Sequence, residues 1–163
     1  MSDSDRIFPI VHPDCESPNR VAHAFVEAIN HQSVDELTGL MTEDHVFIDS
    51  LGTRFEGRDM MKTGWAGYFS MVPDYTITIE ETYSDGPVVV MLGTAQGTCS
   101  VDGRLLPGNR WETPAAWRAL IRGSLVAGWR VYADNEPIRQ LVMKNRKQRD
   151  PAEESQCGKP QKL

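Results

Sequence analysis

Two tryptophan-bearing segments lie almost back to back in the second half of the chain. They are Arg110-Trp111-Glu112-Thr113-Pro114-Ala115-Ala116-Trp117-Arg118 and Gly128-Trp129-Arg130-Val131-Tyr132-Ala133-Asp134-Asn135. Both read as strands, joined through a tight turn at Arg122-Gly123-Ser124. Each indole brings a large apolar area and one N–H donor that needs an acceptor when buried. Three indoles on one hairpin demand a broad partner surface. The chain therefore has to wrap a thick, curved sheet around its own core or around a cavity.

The rest of the pattern supplies that partner surface. Ser17-Pro18 starts a helix, with serine as N-cap and proline at the first helical position, where its missing N–H costs nothing. Val21, Phe25, Ala28 and Ile29 share one face of it. Ser33 and Glu36 form a capping box for a second helix carrying Leu37, Leu40 and Met41. His45-Val46-Phe47-Ile48-Asp49 reads as a short strand, and Gly52 and Gly57 mark a loop. Met61, Trp65, Tyr68, Phe69 and Val72 repeat as a third amphipathic helix, stopped before Pro73. Strands follow over 75–83 and 88–101, with Gly93 and Gly97 inside the second, where glycine marks bends or bulges. The last two strands span 110–121 and 125–133. Asp134-Asn135-Glu136-Pro137 then ends the strand pattern.

Helices in the first half and a bent sheet in the second make an α+β plan. Three helices cannot cover both faces of such a sheet, so the sheet is expected to curl around them as an open cone. Small residues on its concave face would leave a cavity. The expected organisation is a flexible N-terminus over 1–16, a domain over 17–143, and a disordered charged tail over 144–163, rich in Lys, Gln, Glu and Pro.

Composition removes several function classes. The 163 residues suit one domain, and the net charge of −6 argues against nucleic acid or anionic membranes as partners. The cluster Lys144, Arg146, Lys147 and Arg149 runs against that trend but is followed by Asp150, Glu153 and Glu154, as in a solvated segment. No apolar run approaches a membrane span, and no signal peptide is expected at the acidic start. Cys15, Cys99 and Cys157 have no metal or disulfide spacing, so reduced thiols and a cytoplasmic location are expected, with no metal and no cofactor. Gly-rich phosphate loops, Gly-x-Ser-x-Gly and His-Glu-x-x-His are all missing.

The layout and the two tryptophan segments resemble the nuclear transport factor 2-like superfamily, and within it the SnoaL-like polyketide cyclase branch, over roughly residues 17–143. The resemblance implies a cone-shaped open barrel in which three N-terminal helices pack in a strongly curved, mainly antiparallel sheet. It also implies a homodimer through the outer sheet face. One such fold hosts many functions. Relatives include ketosteroid isomerase, whose base at the end of the first strand falls on Asp49. Its tyrosine donor falls on Phe25, and its second, protonated aspartate falls at or beside Thr113, so steroid isomerisation is not expected. The limonene epoxide hydrolase set fares no better, falling on Asp49, Phe47 and Val131.

Alternate strand residues share a face. His45, Phe47 and Asp49 therefore point one way, and the resemblance puts that way inward. A carboxylate beside an imidazole under an aromatic lid is a candidate general acid/base pair. In the simpler reading Asp49 only caps the loop at Ser50–Gly52. Trp129, Val131 and Ala133 form the cavity side of the last strand, and Arg130, Tyr132 and Asp134 the outer side, where Arg118, Arg130 and Asp134 are expected to pair. Trp65, Tyr68, Phe69, Trp111 and Trp117 serve as core, as cavity wall, or as both. Two functions stay open. One is cofactor-free isomerisation, cyclisation or hydration of a small cyclic or hydrophobic carbonyl compound, with Asp49 as base and His45 as helper. The other is non-catalytic binding or dimerisation.

Overall fold

The computed structural model describes residues 17–149. The segments 1–16 and 150–163, read above as a loose start and most of a charged tail, lie outside the described residues. The element order is α1 (Pro18–Asn30), α2 (Val34–Gly39), β1 (Met41–Ile48), β2 (Arg54–Glu56), α3 (Arg58–Met71), β3 (Thr76–Asp85), β4 (Val88–Val101), β5 (Arg104–Arg122), β6 (Leu125–Ala133) and α4 (Glu136–Arg149). One mixed, curved and unclosed sheet runs β2-β1-β6-β5-β4-β3. All its pairings are antiparallel except β1 with β6, which is parallel and sets Phe47 beside Trp129.

α1 buries Val21, Ala22, Phe25, Val26, Ala28 and Ile29 against the concave face. Proline occupies its first turn as expected, but Ser17 makes no side-chain capping bond. At its other end Asn30 clamps β3: its Nδ2 donates to the Ile77 carbonyl at 2.9 Å, and its Oδ1 accepts the Ile77 amide at 2.7 Å. Ser33 does cap α2, accepting from the Glu36 amide. β1 starts at Met41, four residues before the strand pattern becomes visible in the sequence.

The glycines inside β4 mark the bend. The β3–β4 register shifts between Ile79 and Glu81. A Cβ placed on Gly93 there would lie 1.9 Å from the Thr78 carbonyl oxygen, and one on Gly97 would lie 2.4 Å from Val72 Cγ1. Backbone and side chain pass over these two positions so closely that only glycine fits.

Three features depart from the sequence reading. β5 begins at Arg104, six residues early. A short strand, β2, fills the loop after β1. The largest departure is α4, which begins at Glu136 and continues through 144–149, residues assigned above to the tail. Asp134 caps this helix by accepting the Glu136 amide at 2.9 Å. Ile138, Leu141 and Val142 pack against the core. A capping residue followed by proline in the first turn is the signal that also opens α1. Here the polar composition of the helix masks it.

Candidate functional site

β1 and β6 run parallel, so both end on the same side of the sheet. The chain leaving β1 carries Asp49 and Ser50, and the chain leaving β6 carries Ala133 and Asn135. Asn135 Nδ2 donates to Ser50 Oγ at 2.6 Å and ties the two exits together. Thr113, on the neighbouring β5, donates its hydroxyl to the Asp134 carbonyl at 3.2 Å. These groups form the polar end of a cavity of about 750 Å³ between the concave sheet, α3 and the start of α4.

Most of the cavity wall is aromatic. Six rings follow one another in contact: Phe55 to Phe47 at 6.0 Å between centroids, Phe47 to Trp65 at 6.2 Å, Trp65 to Tyr68 at 5.9 Å, Tyr68 to Tyr75 at 5.0 Å, and Tyr75 to Trp111 at 5.9 Å. Trp129 adds a seventh ring to the lining. Small residues on the strands, Ala95, Ala115, Val131 and Ala133, leave the space that the rings surround. Burial pushes the phenols of Tyr68 and Tyr75 well above the ordinary tyrosine range. Both therefore stay protonated at neutral pH and present O–H groups rather than charges.

Asp49 is half-buried at the polar end. Its Oδ1 accepts the Leu51 amide at 2.9 Å and the Thr53 amide at 2.8 Å, the loop-capping role foreseen as the simpler reading. Asp49 also lines the cavity, and it is the only charged residue among the described residues that do. One carboxylate thus both holds the β1–β2 turn and faces the cavity.

Of the candidate residues, Phe47, Asp49, Trp65, Tyr68, Trp111, Trp129 and Val131 are brought together around this space. Three are not among its lining. His45 shares the inward face with Phe47 and Asp49 but sits at the closed end, completely buried. Its Nδ1 lies 2.7 Å from the Val126 carbonyl, and its ring stacks on Phe25 at 5.9 Å. It is a core histidine, because the strand begins earlier than expected and α1 covers that end. Trp117, 1% exposed, fills the core. Phe69 lies behind Trp65, 5.3 Å away, on the core side of α3. Sequence reasoning missed Tyr75, Phe55, Thr113 and Asn135 as cavity residues. Tyr75 and Asn135 had been read only as strand boundaries, and no local pattern marks a residue that enters a cavity from a loop.

The buried His45 sets a pH dependence of stability. Burial lowers its pKa, and the bond to Val126 only partly offsets this. The unfolded chain, with histidine near its usual ~6.5, then binds a proton more readily than the folded protein, and stability falls as pH drops below about 6.5. Thermal unfolding followed between pH 7.5 and 4.5 should show this decline, and His45→Gln should flatten it. An equally steep decline in the variant would assign the effect to other groups.

A curved α+β cone with helices on its concave side and an aromatic cavity opening at the ends of β1 and β6 defines the class: the ketosteroid isomerase-like, or nuclear transport factor 2-like, fold. The SnoaL-like domain model matches residues 22–135, and the chain belongs to that family. Among solved structures, a candidate SnoaL-like polyketide cyclase from Shewanella denitrificans superposes with a TM-score of 0.67 at 16% identity, covering 78% of this chain and 97% of that one. IdmH, a candidate polyketide cyclase from Streptomyces antibioticus, gives 0.65 at 19% identity, covering 78% and 99%. A protein with a ketosteroid isomerase-like fold from Catenulispora acidiphila, in complex with trimethylamine, gives 0.60 at 19% identity, covering 69% and 83%. No curated protein matches the sequence. Among the described residues, no helix is long and apolar enough to cross a membrane, and no group of three or more His, Cys, Asp or Glu side chains is placed to hold a metal ion.

Proposed function

We propose that the cavity binds a small, ring-bearing apolar compound, and that its chemistry is cofactor-free proton transfer at a carbonyl. The observation that carries this reading is one carboxylate, Asp49, at the polar end of a cavity whose wall includes two protonated phenols. A carboxylate can take a proton from carbon beside a carbonyl. A neutral O–H from Tyr68 or Tyr75 can stabilise the enolate oxygen that develops, and such donors are worth most in a dry site. Isomerisation, ring closure and, in its dehydration direction, hydration include such a step, and two of the three structural neighbours described above are candidate polyketide cyclases. Asp49→Asn, scored for turnover and for affinity, tests this. A second reading, binding without turnover, is favoured by the Asp49 Oδ1 already being engaged with two amides. Binding of ring compounds with no conversion of any of them would establish it.

The protein is further proposed to act in the cytoplasm as a homodimer through the outer sheet face. Val90, Leu92, Ala116 and Tyr132 form an apolar band there. Acidic Glu80, Glu81 and Asp85 stand on the β3 side. Arg118 and Arg130 face each other on β5 and β6, with the Arg130 guanidinium 4.7 Å from the Tyr132 ring centre. The expected pairing of those arginines with Asp134 does not form, since Asp134 caps α4. Two like charges directly opposite on a sheet are unfavourable alone. A two-fold axis through the band would set them against the acidic strand of a second copy. Sedimentation should show a dimer for the native chain and a monomer for Leu92→Glu. A native monomer would refute the interface.

A further inference from the structure

The charge and wall of the cavity together constrain the ligand more than its volume does. Among the described lining residues there is one carboxylate and no lysine, arginine or histidine. An anionic ligand would enter a low-dielectric space with no cation to meet it and a like charge at its polar end, which is costly. The wall is also an unbroken run of six aromatic rings, in tilted and edge-to-face contact, whose Phe55–Phe47 end lies beside Asp49 in sequence and across the β1–β2 pairing. Aromatic faces attract an alkylated ammonium through the ring quadrupole, and the attraction strengthens as water is excluded. A quaternary or tertiary ammonium is weakly hydrated and enters such a site more readily than a primary one. One carboxylate supplies its counter-charge, and the Asp49 oxygen that does not hold the loop has no hydrogen-bond partner among the described residues.

We propose that the ligand of this cavity carries an alkylated ammonium group on an apolar, ring-bearing body, with the cation seated between Asp49 and the Phe47–Phe55 end of the aromatic belt. This rests on the reading that the cavity binds a small molecule. It extends the second of the two readings, binding without turnover, by assigning the ligand a charge and assigning Asp49 the role of its counter-ion in place of that of base.

The test uses three probes of one shape: naphthylmethyl-trimethylammonium, its neutral carbon isostere neopentylnaphthalene, and naphthylacetate. Affinities for the full chain are measured by titration calorimetry. The cation is expected to bind roughly tenfold tighter than the neutral isostere, and the anion weakest of the three. Asp49→Asn keeps a carbonyl oxygen to accept the Leu51 and Thr53 amides, so the turn should persist. It should lose most of the preference for the cation while leaving the neutral probe unchanged. Phe55→Leu, at a partly exposed position, should weaken the cation more than the isostere. Equal or tighter binding of the neutral isostere or of the anion would overturn the proposal and leave the small-molecule cavity standing. No binding of any probe would overturn both.

Discussion

Asp49→Asn is expected to reduce turnover of a carbonyl substrate by roughly 10²–10⁴-fold, the usual contribution of a positioned general acid or base. The substitution isolates the chemistry because it removes the negative charge and the capacity to take a proton while keeping the size and shape of the side chain. The side-chain oxygen that holds Leu51 and Thr53 is retained, so the loop between β1 and β2 has no reason to move. Affinity for a neutral ring compound should change little, since apolar binding depends on the aromatic wall and not on the carboxylate. A fall in kcat with a steady dissociation constant identifies a group used in the transition state. If turnover survives in Asp49→Asn, the carboxylate is not the base. If affinity for neutral compounds collapses along with it, the residue serves the architecture of the cavity mouth.

The second large effect concerns the sheet. Gly93→Ala is expected to destabilise the protein by more than about 3 kcal/mol, beyond the usual range for an overpacked core. The added carbon would lie 1.9 Å from the Thr78 carbonyl oxygen, a backbone atom that cannot rotate away. Relief requires β3 and β4 to separate at the register shift that bends the sheet. Gly67→Ala provides the contrast. Gly67 is exposed on α3 with nothing near the added carbon, and alanine there should stabilise by about 1 kcal/mol through helix propensity. Chemical denaturation of both variants measures the difference. A Gly93→Ala protein as stable as the native one would mean that the bend tolerates a side chain.

Much of the site could be read from periodicity alone. Phe47 and Asp49 fall on one face of β1, and Trp129 and Val131 on one face of β6, because strand residues alternate whatever the surroundings. Trp65 and Tyr68 fall together on α3 by helical spacing. What periodicity could not give is depth. His45, Phe47 and Asp49 are equivalent by alternation, yet one is sealed in the core, one is in the wall and one is at the mouth. Trp111 and Trp117 are likewise equivalent along β5. Depth depends on which element covers each end of the sheet, and that is a matter of long-range packing.

The sequence by itself determined the family, the order of most elements, the inward faces of the strands, and the candidate base. Local propensity, capping and alternation act over a few residues and are written directly in the chain. The tertiary structure decided the rest. Parallel pairing of β1 with β6 joins residues some eighty positions apart and brings Asp49 and Ser50 to Asn135. The bend at Gly93 and the seating of α1 separate the closed end of the cone from its mouth. α4 forms at the polar end because Asp134 caps it and Ile138, Leu141 and Val142 find the core, although its composition resembles a solvated tail. The glycines of β4 and the Asp134–Pro137 segment mark a bend and a helix start locally, but what each packs against depends on contacts between distant segments, which no local signal in the chain records.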